Sequence, residues 1–337
     1  MNIRDRHGLR QEAQNRLEQA PFDPGKLILI HSGITAGVLL LLTVINFILD
    51  NQMDSAGGLS GLGTRAILGT IQTVLETVNT IAMPFWSMGY LFAVMGWIHR
   101  EPVNFRTLCS GFRYFGPVLR LHLVKYLLFG GVAAICFYPA MILFLMTPLA
   151  NPLVEAIEPL MTTMTDPQLL LSEPTVAAAV SKATAPMLAI FMAVFLVAAA
   201  PMFYKLRMGE FALIENPRMG AFAALRKSRR LMRGNCISLL QLDLSFWWFY
   251  VLEVLLTVVC YADMLLPMVG IQLPFSSTVA FFLFYLLNLG GQVALYWWKK
   301  NSVMTTYAVA YEVLDKAAPP PVMPTMPVNQ NQIWRNE

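Results

Sequence analysis

The chain has 337 residues and a formal net charge of +4; 56% of its residues are hydrophobic and only 13% are charged. A soluble domain usually has about 25% charged residues, so this composition excludes an ordinary water-soluble globular protein. Mostly apolar stretches of about 20 residues, the length needed to cross about 30 Å of hydrocarbon, recur along the sequence. The composition therefore predicts an integral membrane protein with short polar ends.

The predicted fold is all-α and polytopic, with about six transmembrane helices. The polar residues 1–26 predict a short cytoplasmic helix. Residues 27–316 form the predicted membrane domain, in which spans are expected over 27–49, 78–98, 124–146, 185–208, 237–263 and 278–298. We expect Pro84 to kink the second span, because proline removes one backbone donor. The acidic, Pro-containing segment 149–183 is a predicted outer connection, and the Pro-rich tail 317–337 is predicted to be disordered and cytoplasmic.

The distribution of positive charge predicts the orientation of these spans. All but Arg65 and Lys182 of the 24 Lys and Arg residues fall in the N-terminal segment, the second–third connection, the fourth–fifth connection and the C-terminal segment. Connections rich in Lys and Arg stay in the cytoplasm. We therefore predict that both termini are cytoplasmic, which requires an even number of spans.

The fourth–fifth connection contains the strongest local feature, a basic segment at 215–235. Asn216 and Pro217 are typical of the start of a helix, and Gly234 is typical of its end. The segment predicts an amphipathic cytoplasmic helix that contacts anionic lipid headgroups or a partner protein through Arg226, Lys227, Arg229, Arg230 and Arg233. A simpler interpretation is that these charges only keep the loop inside. No nucleic-acid-binding fold surrounds them, so nucleic acid is not an expected partner.

Polar residues inside the spans form a second candidate site. Glu253 lies near the middle of the fifth span, where a carboxyl group is costly and faces other helices or a wet cavity. It can serve an ion, a proton or a headgroup, or simply form a hydrogen bond to a neighbouring helix while protonated. Glu76 and Asn79 in the second helix are weaker members of the same possible site. Near the cytoplasmic span ends, Glu210, His122 and Lys125 can pair across helices.

The sequence has no familiar catalytic or metal-binding spacing. Its four histidines form no H-E-x-x-H motif, its four cysteines are scattered singly, and no P-loop or G-x-S-x-G elbow is present. No catalytic residue, metal ligand or cofactor is therefore predicted. Gly33 and Gly37 form a G-x-x-x-G motif in the first span, which can permit close helix approach within the bundle or in a dimer.

The stretch 204–248 resembles a known family. It contains Asn216-Pro217, Ala224-Leu225 with Ser228, Met232 with Gly234-Asn235, and the run from Leu242 to Phe246. In these residues the chain resembles domain-of-unknown-function family 975 (DUF975), uncharacterised bacterial membrane proteins. The resemblance implies a multi-pass protein of the bacterial cytoplasmic membrane and implies no activity.

Three functions remain open at this point. The first is a non-catalytic membrane scaffold or accessory factor that uses the basic helix to contact anionic lipid or a partner protein. The second is a small-solute or lipid transporter with an intramembrane carboxyl site at Glu253. The third, a lipid-headgroup enzyme, is the least favoured, because it requires several polar side chains to converge in one pocket near a membrane face.

Overall fold

The computed structural model describes residues 3–55, 61–151, 153–156, 174–268, 271 and 274–318, and no strand occurs among them. The tail 319–337 and most of the predicted outer connection lie outside these residues. A 3-10 turn spans Pro148–Ala150, and a π-helical turn spans Tyr296–Lys300. The helices are α1 (Arg6–Glu18), α2 (Pro24–Ser55), α3 (Gly61–His99), α4 (Phe105–Leu108), α5 (Ser110–Arg113), α6 (Phe115–Leu145), α7 (Pro174–Leu206), α8 (Gly209–Glu215), α9 (Ala221–Leu231), α10 (Cys236–Leu244), α11 (Trp247–Cys260), α12 (Ala262–Met268), α13 (Ser277–Leu295) and α14 (Asn301–Ala317).

The prediction of an all-α protein with several long apolar helices that can span a membrane is confirmed. Within the described residues, five segments are long and apolar enough to cross a membrane: Pro24–Met53, Gly63–His99, Phe115–Leu145, Ala178–Glu215 and Ser277–Ala317. The pair α10 and α11 passes the same test only when taken together.

The fifth predicted span, 237–263, differs from the prediction because α10 and α11 meet at an angle of 66°. At the bend, the hydroxyl group of Ser245 donates back to the carbonyl of Leu242 over 2.6 Å. The carbonyl of Ser245 accepts a hydrogen bond from the Arg10 guanidinium group. A side chain from α1 therefore satisfies backbone at the point where the helix breaks.

The buried core lies at one end of the bundle, which we call the packed end. It is formed by α1, α8, α9 and α14 together with the adjoining turns of α2, α3, α6, α7 and α10. Trp97, Tyr307 and Tyr311 are among its largest fully buried side chains. Away from this end, α2, α6 and α7 expose large apolar side chains such as those of Leu41, Ile135 and Val197. Contiguous apolar surface of this kind suits lipid rather than water.

Two glycines bring α3 close to α4 and α5 at the packed end. A Cβ atom on Gly89 would lie 1.7 Å from the carbonyl oxygen of Leu108, and one on Gly111 would lie 1.9 Å from that of Phe85. Only glycine fits such a contact. At Gly33 and Gly37, by contrast, an added Cβ would meet nothing within 4 Å. The close approach expected at that motif is therefore not made within the described part of the chain.

The two ends of the chain pack against each other. α1 lies against α14, and α14 also contacts α3. The hydroxyl group of Tyr90 donates to the Asn301 side-chain oxygen over 2.7 Å, and the Asn301 amide donates to the carbonyl of Pro24 over 2.7 Å. These bonds join the starts of α2 and α14 to α3, so the helices that line the site below are fixed relative to one another.

Candidate functional site

A cavity of about 500 Å³ lies between α2, α3, α6, α7, α8 and the α13–α14 junction near the packed end. Its wall is apolar in part, with Leu91, Phe129, Phe203 and Met304 among the lining residues. Two further cavities, of about 500 Å³ and 200 Å³, adjoin it and share Ser87 with it. The polar and charged residues that line the main cavity are His31, Ser87, Tyr90, His122, Lys125, Tyr126, Arg207, Glu210, Lys300 and Tyr307.

Two of the three cations in the lining form ion pairs. The Lys125 ammonium group lies 2.6 Å from a carboxylate oxygen of Glu210, which joins α6 to α8. The Arg207 guanidinium group pairs with the carboxylate of Asp243 in α10. The hydroxyl groups of Tyr204, at 2.8 Å, and Tyr307 also donate to Asp243. These carboxylates neutralise Lys125 and Arg207.

The third cation, Lys300, is not neutralised in this way. Its ammonium nitrogen lies 3.8 Å from the ring centre of Tyr296 and 5.7 Å from that of Tyr90. Across the described ranges it forms no ion pair and no hydrogen bond. The carboxylate of Glu253 is near enough to act on it electrostatically. Lys300 therefore keeps its three N–H donors available on the cavity wall.

The two histidines of the lining also have unused hydrogen-bonding groups. His31 is only 4% exposed, yet neither of its ring nitrogens has a partner among the described residues. Nε2 of His122 is likewise buried without a partner there. The His31 ring is held by Trp86, which stacks on it at 5.2 Å with an interplanar angle of 5°. Buried polar atoms normally have partners, so these exceptions require an explanation.

The intramembrane residues named from the sequence do not meet in one cluster. Glu253 accepts a hydrogen bond of 2.7 Å from the Tyr296 hydroxyl group and is absent from the cavity lining. Glu76 accepts one of 3.2 Å from Asn46, which joins α2 to α3. Asn79 lines the adjoining 500 Å³ cavity, in the turn of α3 before Pro84. Only Asn79 is thus connected to the cavity system.

The basic segment forms α9, a helix with one buried face. Ala221, Ala224, Leu225 and Leu231 are buried, and the hydroxyl group of Ser228 donates to the carbonyl of Lys205 over 2.8 Å. This face packs against α8 and α6. The position and amphipathic character of the helix agree with the pattern of the sequence.

Lys227 has a different environment from the arginines of α9. Its ammonium group lies 2.6 Å from Glu215 and 2.8 Å from Asp315. Burial opposes its charged form, but the hydrogen bonds to these carboxylates outweigh burial and raise the pKa of Lys227 above its usual value. The hydroxyl group of Tyr311 donates to the same Glu215 carboxylate over 2.5 Å. Lys227 therefore links α9 to α8 and α14 through two ion pairs, unlike the arginines.

The four arginines predicted from the sequence as lipid or partner contacts, by contrast, are exposed and form no ion pair in the part of the chain that the structure describes: Arg226, Arg229, Arg230 and Arg233. Arg226 and Arg229 line a groove of about 390 Å³ between α9 and α6. The rest of the groove is apolar and consists of Val124, Leu128, Phe222 and Leu225.

The cavity lining itself was not recognised from the sequence. The sequence analysis treats Arg207 and Lys300 only as charges of the connections that set the orientation. It names Lys125 and Glu210 as residues that can pair across helices, and the structure shows that pair. The sequence does contain a signal for this site. Lys125 lies near the start of α6, Arg207 directly follows α7, and Lys300 directly precedes α14, so each cation adjoins a long apolar segment. Ionisable residues in such segments usually face the bundle interior or a water-filled cavity.

Together these features define an all-α protein whose long apolar helices can span a membrane and enclose a polar cavity near one end. The profile of the family described as "Protein of unknown function (DUF975)" matches residues 1–316, so the chain belongs to that family and the resemblance seen in the sequence is confirmed. No curated protein and no solved structure matches the chain.

Proposed function

We propose that this protein is a membrane accessory factor that holds anionic phospholipid of the cytoplasmic leaflet against its basic helix α9. The observation that carries the proposal is the groove between α6 and α9, in which Arg226 and Arg229 border an otherwise apolar surface. A phospholipid matches this groove, because it has a negatively charged phosphate next to apolar acyl chains.

The chemistry of the groove suits a phosphate group. A guanidinium group presents several N–H donors in a fixed plane and can bind phosphate with two parallel hydrogen bonds. Val124 and Leu128 belong to α6, one of the helices long and apolar enough to cross a membrane. A lipid in the groove can therefore place its chains along α6 and its phosphate beside Arg226 and Arg229.

Exposed apolar side chains around the groove favour lipid over a soluble partner protein. Phe222 in α9 is 67% exposed, and Ile237, at the start of α10, is 70% exposed. An interfacial helix typically combines such side chains with arginines and lies at the headgroup boundary. The face of α9 that carries Ala224 and Ser228 is buried, so contact with a ligand is available on the arginine side and in the groove beside α6.

Lipid retention by purified protein tests this proposal. We would titrate the protein in dodecyl maltoside with phosphatidylglycerol or phosphatidylcholine and count bound lipids by native mass spectrometry. Cations near a membrane surface contribute about 1 kcal/mol each. Replacing both Arg226 and Arg229 by Gln should therefore remove about 2 kcal/mol, or roughly 25-fold in affinity for phosphatidylglycerol.

The matched control is the double substitution of Arg230 and Arg233 by Gln, which removes the same charge from the same segment outside the groove. We expect it to retain most of the binding. A third variant, Lys227→Gln, should lower stability without loss of lipid. Equal losses of phosphatidylglycerol affinity in the two double arginine variants would refute a lipid site in the groove. Binding of phosphatidylcholine as tight as that of phosphatidylglycerol would refute an anionic-lipid site. A protein partner that binds through Arg226 and Arg229 would show that the groove is a protein-binding site instead.

The cavity favours the second candidate, a small-solute or lipid transporter, because transport requires a place for the solute between the helices. In that case the carboxyl group that matters is Glu210 rather than Glu253, since only Glu210 reaches the main cavity.

A further inference from the structure

The cavity near the packed end has an unbalanced set of hydrogen-bonding groups. Its lining has three cations, Lys125, Arg207 and Lys300, and one carboxylate, Glu210. Ion pairs account for Lys125 and Arg207. Lys300, the imidazole of His31 and Nε2 of His122, which line the same cavity, are left with unused polar atoms.

An unpaired cation and buried unpartnered imidazoles are costly among apolar helices. Aromatic rings compensate Lys300 only in part, because a ring offers weaker stabilisation to a strongly hydrated ammonium group than an oxygen acceptor does. The Glu253 carboxylate acts on Lys300 electrostatically but forms no ion pair or hydrogen bond with it among the described residues. An acceptor-rich anion would satisfy Lys300 and, through their N–H groups, both histidines.

From this arrangement we infer that the cavity is a binding site for a phosphate-type oxyanion, with Lys300 as its anchoring residue and His31 and His122 as further contacts. The apolar wall beside these groups, which includes Phe129 and Met304, leaves room for an attached apolar moiety. The oxyanion can therefore be a lipid headgroup or a free phosphate, and the test below separates the two sources. The cavity shares no residue with the groove on α9, so the two proposals fail independently.

Calorimetric titration of purified, delipidated protein provides the test. All measurements use protein in which Arg226 and Arg229 are replaced by Gln, so that the α9 groove does not contribute. The probes are inorganic phosphate and short-chain phosphatidylglycerol. We expect at least one of them to bind. Binding of phosphatidylglycerol alone identifies a headgroup site, and binding of phosphate alone identifies a free-anion site.

Two adjacent lysines give a matched pair of variants. Lys300→Gln should weaken binding of the active probe by at least about tenfold, the loss expected for one hydrogen bond to a charged group. Lys299→Gln removes the same charge from the neighbouring position, whose ammonium group lies over the Trp298 ring and does not line the cavity. We expect the Lys299→Gln affinity to stay within about twofold.

A second variant covers the case in which Lys300→Gln fails to fold. His31→Phe keeps an aromatic ring against Trp86 and removes two nitrogens that have no partner within the protein. If His31 is only structural, this variant will be as stable as the parent, or more so, with unchanged binding. If it contacts the ligand, stability will hold while affinity falls several-fold. Failure of both probes to bind, equal effects at Lys299 and Lys300, or unchanged binding by folded His31→Phe protein would overturn the inference.

Discussion

Replacement of Asp243 by Asn is the most direct test of the charge network beside the cavity. Asp243 accepts hydrogen bonds from Arg207, Tyr204 and Tyr307, and its ion pair with Arg207 is largely shielded, with 16% of the Arg207 side chain and 13% of the Asp243 side chain exposed. Asn has nearly the same shape and can still accept a hydrogen bond from one tyrosine. It cannot neutralise Arg207, so the substitution isolates the loss of charge.

The expected loss follows from this burial. Removing one partner of a buried ion pair typically costs about 3–5 kcal/mol, because the other charge is left without compensation. Since both side chains of this pair retain some exposure, we expect the lower end, about 3 kcal/mol of the free energy of unfolding. Unfolding by sodium dodecyl sulfate in mixed micelles, followed by circular dichroism, measures this quantity.

The double variant with Arg207→Gln and Asp243→Asn serves as the control. Because it removes both charges, it should be less destabilised than the sum of the two single variants, and the difference is the coupling energy of the pair. A change of less than about 0.5 kcal/mol in Asp243→Asn, the level of an ordinary surface substitution, would refute the reasoning. Strict additivity of the two single changes would do the same.

Two other predictions concern packing and topology. Gly89→Ala and Gly111→Ala should each disrupt the contact of α3 with α4 and α5 and lower the yield of monodisperse protein. The control is Gly116→Ala, because a Cβ atom there meets nothing within 4 Å, and its yield should be unchanged. Normal yields of the Gly89 and Gly111 variants would contradict the prediction. In a cysteine-free background, Glu155→Cys should react with an impermeant maleimide on intact cells and Arg233→Cys only after permeabilisation; the reverse pattern would contradict cytoplasmic termini.

The apolar pattern of the sequence predicts where the long helices lie. This works because a membrane span must satisfy its backbone hydrogen bonds within one continuous apolar stretch. The same pattern missed the break between α10 and α11. At that bend the Ser245 carbonyl accepts a hydrogen bond from Arg10, which is 235 residues away in the sequence and reaches it only in the folded chain. Contacts of this kind are set by tertiary packing and leave no local signature.

The basic helix was located from its sequence, but the roles of its cations were not separable there. Lys227 and Arg226 are neighbours with the same charge, and helix geometry turns one toward Glu215 and the other toward the α6 groove. Similarly, the G-x-x-x-G spacing at Gly33 permits a close helix approach in the bundle or in a dimer, and within the described chain the close contacts lie at Gly89 and Gly111. The spacing of residues along the sequence predicts which of them lie on one face of a helix. What that face contacts depends on the neighbouring helices in the fold.

The packing of α1 against α14 links the first and last helices of the described chain. If these two helices lie in the same aqueous compartment, the chain between them crosses the membrane an even number of times. The five unbent apolar segments would then require a sixth crossing, and the angled pair α10 and α11 is the candidate for it within the described residues. The maleimide experiment on Glu155→Cys and Arg233→Cys therefore also tests the route of this helix pair.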